Sequence, residues 1–219
     1  MKLPLRERKK IETRRRIAEV ANSMFREQGF AGTTLDQIAD QSNIHKITVL
    51  RYFPTKEAIA FAAQDDIYLS FKEELNARLG PVLDTWRGHI FRNALAATHR
   101  QELILRNAFV VSDPALLSYQ LRLDARYQRT LARAFAEEAG VDPETDIFGR
   151  ALAGLLVAGN HSVAQMALRH GDYSQLQASC MAVVDLGAEF QRTHFHGQPL
   201  TQRPTPETAP VVAGHSLPA

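Results

Sequence analysis

Apolar residues recur along most of the chain at the three- and four-residue spacing of amphipathic helices. An early example is a single stripe formed by Ile17, Ala21, Met24 and Phe25. No run of residues alternates between apolar and polar with turn signals at strand spacing. The pattern therefore predicts an all-α protein.

Local start and stop signals divide this pattern into nine predicted helices. The first ends at Gly29, a natural glycine cap, and the Thr33-x-x-Asp36 spacing resembles a capping box that opens the second. Pro54 ends the third, because the residue before a proline is disfavoured in a helix. After the first, the predicted ranges are 34–41, 45–52, 55–79, 83–98, 101–111, 113–140, 142–171 and 174–193.

These ranges predict two folded units and a tail. Residues 1–54 form a three-helix unit with a basic N-terminal arm, and residues 55–196 form a six-helix unit. Residues 197–219 contain five of the ten prolines and no aromatic residue, which indicates a disordered tail.

Charge is distributed unevenly although the net charge is only +2. Residues 1–56 hold 12 Lys and Arg against 6 Asp and Glu, and the remainder of the chain is net acidic. A basic N-terminal part indicates binding to an anion such as nucleic acid. A single cysteine, Cys180, an N-terminus without a signal peptide and an apolar stretch at 151–158 too short to span a bilayer predict a cytoplasmic protein with no membrane partner.

The stretch 29–57 contains two short helices joined by a tight turn, which is helix-turn-helix geometry. In this motif the second helix enters the major groove of DNA. The inward positions of the whole motif are apolar: Leu35, Ile38, Ala39, Ile44, Val49 and Phe53. The outward positions of the second helix carry cations, hydroxyls and an imidazole suited to phosphates and base edges: His45, Lys46, Thr48, Arg51 and Tyr52.

This stretch resembles the TetR-type transcriptional regulators, through the following matching residues: Gly29, Phe30, Thr33, Thr34, Leu35, Ile38, Ala39, Ser42, Thr48, Arg51, Tyr52, Phe53, Pro54, Lys56 and Glu57. The chain departs from the family pattern at four places: Asn43 for glycine, His45 for the cap serine, Ile47 for a small residue and Leu50 for tyrosine. The resemblance implies an all-helical body, a homodimer joined by a four-helix bundle, and a double-stranded operator with two-fold symmetry.

Two more DNA contacts are predicted from position. Thr34 and Lys56 each lie at a helix start, where backbone N–H groups favour a phosphate. Tyr52 has core packing as an alternative role, and His45 has that of a solvated cap. The basic segment Arg6–Arg16 either contacts phosphates or the minor groove as an arm, or is a solvated extension.

The last two helices are the predicted dimer interface, because they carry small residues and more than one apolar stripe. A ligand pocket is expected among the helices between about 60 and 170, formed where polar or aromatic residues interrupt apolar stripes. The pair Asn160 and His161 is preferred, and an apolar lining suggests a fatty-acyl or aromatic ligand. The remaining candidates are Trp86, His89, Asn107, Phe109, Tyr119, Arg122 and Tyr127.

We therefore expect a repressor that a small hydrophobic ligand releases from a palindromic operator. Two alternatives remain open: an architectural DNA-binding protein without a ligand, and a helical enzyme. The enzyme is disfavoured because the chain has no nucleophile elbow, phosphate-binding glycine loop or His-Glu-x-x-His motif. No metal or cofactor is expected, since His194-x-His196 lacks spaced partner ligands.

Overall fold

The structure is a computed structural model that describes residues 4–99 and 113–194, with the side chains of 97–99 left out. These residues form nine helices and no strand, which confirms the all-α prediction. The helices are α1 Leu5–Gln28, α2 Leu35–Ser42, α3 Lys46–Tyr52, α4 Lys56–Ala60, α5 Ala62–Asn76, α6 Val82–His99, α7 Pro114–Ala139, α8 Ile147–His170 and α9 Leu176–His194. The predicted helix 101–111 and the predicted tail 197–219 lie outside the described residues.

The first three helices share one apolar core. Ile17, Ala21 and Phe25 of α1 are buried with Ile38 of α2 and Val49 of α3. The inward positions predicted from the sequence all belong to this cluster, two of them only partly buried. The core therefore holds α3 at a fixed angle across α2.

The start of α2 lies one residue from the predicted capping box. The box is formed by Thr34, whose hydroxyl accepts from the Gln37 backbone N–H at 3.2 Å, and by Gln37, whose side chain accepts from the Thr34 N–H at 2.8 Å. Thr33 is buried, and its hydroxyl donates to the Gly29 carbonyl at 2.8 Å. The Thr33–Asp36 prediction was wrong because Thr33 closes the end of α1.

The turn between α2 and α3 depends on a left-handed residue. Asn43 has φ 54° and ψ 48°, the only positive φ at a non-glycine position among the described residues. Its backbone N–H donates to the Asp40 carbonyl, and the Ile44 N–H donates to the Ala39 carbonyl. Asparagine can replace glycine here because its short polar side chain tolerates this backbone.

The predicted single helix 55–79 is interrupted at Phe61. This residue leaves helical geometry, with φ −94° and ψ 9°, between α4 and α5. Its ring is fully buried and stacks on Tyr119 of α7 at 4.7 Å between ring centroids. A tertiary contact thus bends the chain at a point where the apolar spacing continues without a break.

In the body, α8 packs between α7 and α9. It begins later than predicted, because Asp142 closes a separate turn and Asp146 caps α8 by accepting from the Phe148 and Gly149 N–H groups. Glycine allows the close approach of α9: a Cβ at Gly187 would lie 2.6 Å from the Leu156 side chain.

Within the described residues, one helix, α8, is long and apolar enough to cross a membrane on length and composition alone. Its buried positions include Leu152, Leu156 and Val157, which belong to the core shared with α5, α6 and α7. Core packing accounts for these buried positions of α8.

Candidate nucleic-acid interface and ligand pocket

The outer face of α3 presents most of the predicted DNA-contacting side chains to solvent. His45, Lys46 and Arg51 are exposed, whereas Thr48 and Tyr52 are half-buried. Lys46 forms an ion pair with Asp36 of α2 at 2.8 Å between Nζ and Oδ2. His45 precedes the helix and makes no side-chain cap hydrogen bond.

Two apolar side chains share this face. Ile47 is 83% exposed and Leu50 is 37% exposed. Both stand where the family pattern has other residues, and the sequence analysis did not place either among the DNA contacts. Their apolar character on the exposed face of α3 is the structural signal that identifies them.

Lys56 is engaged with the protein itself. Its ammonium donates to the carbonyls of Phe30 at 2.6 Å and Thr33 at 2.8 Å, and lies 4.1 Å from the centroid of the Phe30 ring. This clamp ties the start of α4 to the loop before α2. The predicted phosphate contact of Lys56 stays a prediction, since only one of the three ammonium protons remains.

The basic segment Arg6–Arg16 is helical and forms the first turns of α1, so it is not an extended arm. Its side chains border a groove that α3 completes with Arg51 and Tyr52. The residues contributed by α1 are Arg6, Glu7, Lys9, Lys10 and Thr13. The groove is therefore cationic and opens beside the outer face of α3.

A cavity of about 260 Å³ lies inside the body. Five of the predicted ligand residues line it: Trp86, His89, Tyr127, Asn160 and His161. The other lining residues in the described part of the chain were not predicted as ligand contacts: Gln64, Ile67, Ile90, Asn93, Ala94, Gln120, Leu123, Asp124, Val157, Ala164, Leu176 and Cys180.

Helical spacing could have found several of the missed residues. Gln120, Leu123 and Asp124 stand seven, four and three positions before Tyr127, so they share one face of α7. The lining positions of α6 and α8 repeat at the same spacing. The sequence alone did not show that these three faces converge.

The polar atoms of the cavity include a close His–Asp contact and two atoms without a hydrogen-bond partner among the described residues. The His161 Nδ1 lies 3.2 Å from Asp124 Oδ2. Within the described part of the chain, Trp86 Nε1 and Asn160 Oδ1 are buried without a hydrogen-bond partner. Burial, followed by the charge of Arg92, lowers the pKa of His89 to about 4, and burial raises the pKa of the Cys180 thiol to about 11. Both groups are therefore uncharged at neutral pH.

Tyr119 and Arg122 do not line the cavity. The Tyr119 hydroxyl donates to Asp65 of α5, and Arg122 is exposed and lies over the Tyr119 ring at 5.3 Å. Both residues fall on the side of α7 that faces α5 and the three-helix core. The predicted candidates Asn107 and Phe109 lie outside the described residues.

Helix α5 connects the cavity to the three-helix unit. Gln64 and Ile67 line the cavity. Between them, Asp65 accepts from Arg126 of α7 at 2.6 Å, and Asp66 accepts from Arg14 of α1 at 2.7 Å. A displacement of α5 at the cavity would therefore act on contacts to both α7 and α1.

Helices α8 and α9 keep apolar side chains on their outer faces. Leu155 and Met166 of α8 are 36% and 52% exposed, and Leu186 of α9 is 63% exposed. Other apolar residues of α9, Cys180 and Val184 among them, are buried within the single chain. The two helices thus bury one stripe internally and present a second.

Comparison with known proteins matches this architecture. The family described as bacterial regulatory proteins, tetR family, matches residues 17–63. The HTH-type transcriptional regulator TcmR of Streptomyces glaucescens is 31% identical over 165 residues, covering 70% of this chain and 72% of TcmR.

Solved structures with about one fifth sequence identity share the fold. SmeT in complex with triclosan is 20% identical with a TM-score of 0.60, covering 81% of this chain and 90% of SmeT. FadR of Thermus thermophilus, a repressor in complex with lauroyl-CoA, is 20% identical with a TM-score of 0.59, covering 88% of this chain and 98% of FadR. On the sequence match, the helix-turn-helix and the all-helical body together, the chain belongs to the TetR family of transcriptional regulators and is not an enzyme.

Proposed function

We propose that the protein is a homodimeric repressor that a small, largely apolar ligand releases from a palindromic operator. The observation that carries this proposal is the connection, through α5, between a cavity in the body and an outward-facing recognition helix. A ligand-independent architectural protein would not need such a cavity.

On the DNA side, α3 would enter the major groove. Thr48 and Arg51 would reach base edges or phosphates, and exposed Ile47 offers apolar contact to a thymine methyl group. Thr34, His45, Lys46 and Tyr52 would contact phosphates and fix the register. The groove between α1 and α3 would hold the adjacent backbone through its basic residues.

On the dimer side, the outer stripe of α8 and α9 would pair with the same stripe of a second copy. A two-fold interface is self-complementary, so one apolar stripe is sufficient for both partners. Burying Leu155, Met166 and Leu186 would remove the largest exposed apolar side chains from this face. The two recognition helices would then face successive major grooves.

The proposed domain limits follow the sequence analysis: 1–54 for DNA binding, 55–196 for ligand binding and dimerisation, and 197–219 as a tail. The apolar core supports a close connection at the first limit, because the cluster containing α1 to α3 extends to Leu116 and Leu123 of α7. Leu123 also lines the cavity. Ligand binding would therefore change the apolar core against which the three-helix DNA-binding domain packs.

The ligands bound in two structural relatives support a small-molecule effector. SmeT was solved with triclosan and Thermus thermophilus FadR with lauroyl-CoA. A ligand that prefers one body conformation would shift the equilibrium away from the spacing that fits DNA. The protein would act inside the cytoplasm, where its operator lies.

Selection from a pool of random DNA duplexes tests the DNA half of the proposal. The enriched sequences should contain an inverted repeat with half-sites about 10 bp apart centre to centre or a multiple of this. Arg51→Ala and Thr48→Ala should weaken binding to the selected duplex, while Arg122→Ala, on the exposed surface of α7, should not. An enriched pool without a repeated motif would favour the architectural alternative.

A further inference from the structure

The polar atoms of the cavity constrain its ligand more than the apolar surface does. Two of them, Trp86 Nε1 and Asn160 Oδ1, have no hydrogen-bond partner among the described residues. Their side chains are 3% and 6% exposed, and both line the cavity. Buried polar atoms are normally paired, so each unpaired atom is a position at which a ligand group or an ordered water would complete a hydrogen bond.

Each of the two atoms can take only one role in a hydrogen bond, as donor or as acceptor. An indole nitrogen can only donate. The Asn160 amide donates through Nδ2 to the Leu156 carbonyl at 2.8 Å, and a carbonyl can only accept. The amide nitrogen therefore faces the helix backbone, and the amide oxygen is left as an acceptor on the cavity wall.

The charge of the lining disfavours an anion. No Lys or Arg is among the lining residues within 4–99 and 113–194, whereas Asp124 is. The imidazole of His161 faces the Asp124 carboxylate, and Gln120 donates to that carboxylate at 2.8 Å. An anionic ligand would add a second negative charge beside Asp124, and none of the described lining residues is a Lys or Arg that could oppose it.

Size and wall shape favour a compact ring system. The cavity of about 260 Å³ lies below the usual range of roughly 300–1,000 Å³ for ligand pockets. Three rings form one wall: Trp86 and His89 stack at 5.5 Å between centroids, and Tyr127 meets Trp86 edge-on at 5.8 Å. Aromatic walls of this kind favour planar rings.

We propose that the cavity binds an uncharged, compact aromatic molecule bearing an acceptor for the Trp86 indole N–H and a hydroxyl or N–H donor for the Asn160 amide oxygen. This rests on the proposed function and narrows its ligand. An aromatic ligand is thereby favoured over a fatty-acyl one, because fatty acids carry a carboxylate and acyl-CoA thioesters carry the phosphates of CoA.

A matched series of naphthalenes tests the proposal by calorimetric titration of the free, full-length protein. The complete probe is 6-hydroxy-2-acetylnaphthalene. 2-Acetylnaphthalene lacks the hydroxyl, 2-naphthol lacks the carbonyl, and 6-hydroxy-2-naphthoate replaces the methyl ketone with a carboxylate of similar size. We expect the complete probe to bind about tenfold more tightly than either deletion probe and at least about 100-fold more tightly than the carboxylate.

Variants assign each preference to its partner atom. In Asn160→Leu the advantage conferred by the hydroxyl should vanish while that of the carbonyl remains. In Trp86→Phe the reverse should hold. Asn93→Leu is the matched control, because Asn93 lines the same cavity and donates to the His89 carbonyl at 2.8 Å, but its amide oxygen is not among the buried atoms that lack a partner in the described residues. It should keep both preferences.

Carboxylate binding as tight as that of the complete probe overturns the proposal, as do hydroxyl and carbonyl preferences that persist in the variants. Failure of the complete probe to saturate the protein below about 1 mM also overturns it. The wild-type probe series is independent of whether a variant folds. Because the titration contains no DNA, these results concern the ligand class alone, whereas failure to select any operator would contradict the proposed function alone.

Discussion

The clamp formed by Lys56 gives the sharpest test of which contacts stabilise the three-helix DNA-binding domain. We consider Lys56→Met, which keeps most of the aliphatic stem and removes the ammonium. The substitution removes the ammonium donor from the Phe30 and Thr33 carbonyls and the cation from the Phe30 ring, and among the described residues the Phe30 carbonyl keeps only the Thr33 N–H at 3.3 Å. Lys46→Met is a matched control in the same domain, since Lys46 pairs only with the exposed carboxylate of Asp36 among the contacts described.

The expected loss in the free energy of unfolding is severalfold larger for Lys56→Met than for Lys46→Met. A hydrogen bond from a charged donor contributes about 1.5–3 kcal/mol. The two bonds of Lys56 would contribute roughly twice this, and partial exposure of the ammonium reduces the sum to about 3 kcal/mol. An exposed ion pair such as that of Lys46 contributes about 0–1 kcal/mol.

Thermal unfolding followed by circular dichroism measures both variants. For a chain of this size, 1 kcal/mol shifts Tm by about 2–4 °C, so Lys56→Met should lower Tm by about 6–12 °C and Lys46→Met by less than about 4 °C. All samples must have equal protein concentration, because dimerisation would make Tm concentration-dependent. If the two variants had the same Tm, Lys56 would not be a structural clamp, and its predicted role as a phosphate contact would gain support.

Three further predictions follow from individual contacts. Gly187→Ala should destabilise the protein by about 1–3 kcal/mol, because the added Cβ lies 2.6 Å from Leu156, whereas Gly154→Ala, with no atom within 4 Å, should not; equal urea denaturation midpoints would contradict this. Because the folded pKa of His89 is about 4 and the unfolded value 6.5, the unfolded state binds the extra proton between these limits, so the free energy of unfolding should fall as pH drops from about 6.5 to about 4, by about 3 kcal/mol in total. In His89→Phe that decline should be smaller, and an unchanged profile would refute the assignment. Deleting residues 1–10 should reduce the slope of log K against log salt for DNA binding by about 0.9 per lost phosphate contact, and an unchanged slope would refute a phosphate role for this segment.

Local signals in the sequence predicted the helices of the three-helix DNA-binding domain in detail. The glycine end of α1, the proline after α3 and the apolar stripe in between define the motif with local chemistry alone. The capping box was misplaced by one residue because Thr33 and Thr34 are both capable caps. Only the fold shows that the Thr33 hydroxyl is committed to Gly29.

The cavity was less predictable because it depends on how separate helices meet. Asn160, His161, Trp86 and His89 were identified as polar or aromatic interruptions of apolar stripes, and they do converge. Tyr119 has the same character in the sequence, yet its position around α7 directs it to Asp65 of α5. Helical phase relative to neighbouring helices decides between these outcomes, and one sequence does not specify it.

Stoichiometry on DNA tests the central claim most directly. Native mass spectrometry of the protein mixed with its selected duplex measures how many 24.5 kDa chains bind one operator. We predict two chains per duplex, and loss of the duplex from this complex when 6-hydroxy-2-acetylnaphthalene is added. A single chain on the duplex would contradict the two-fold mechanism, and a duplex that stays bound to a ligand-loaded dimer would contradict release by the ligand.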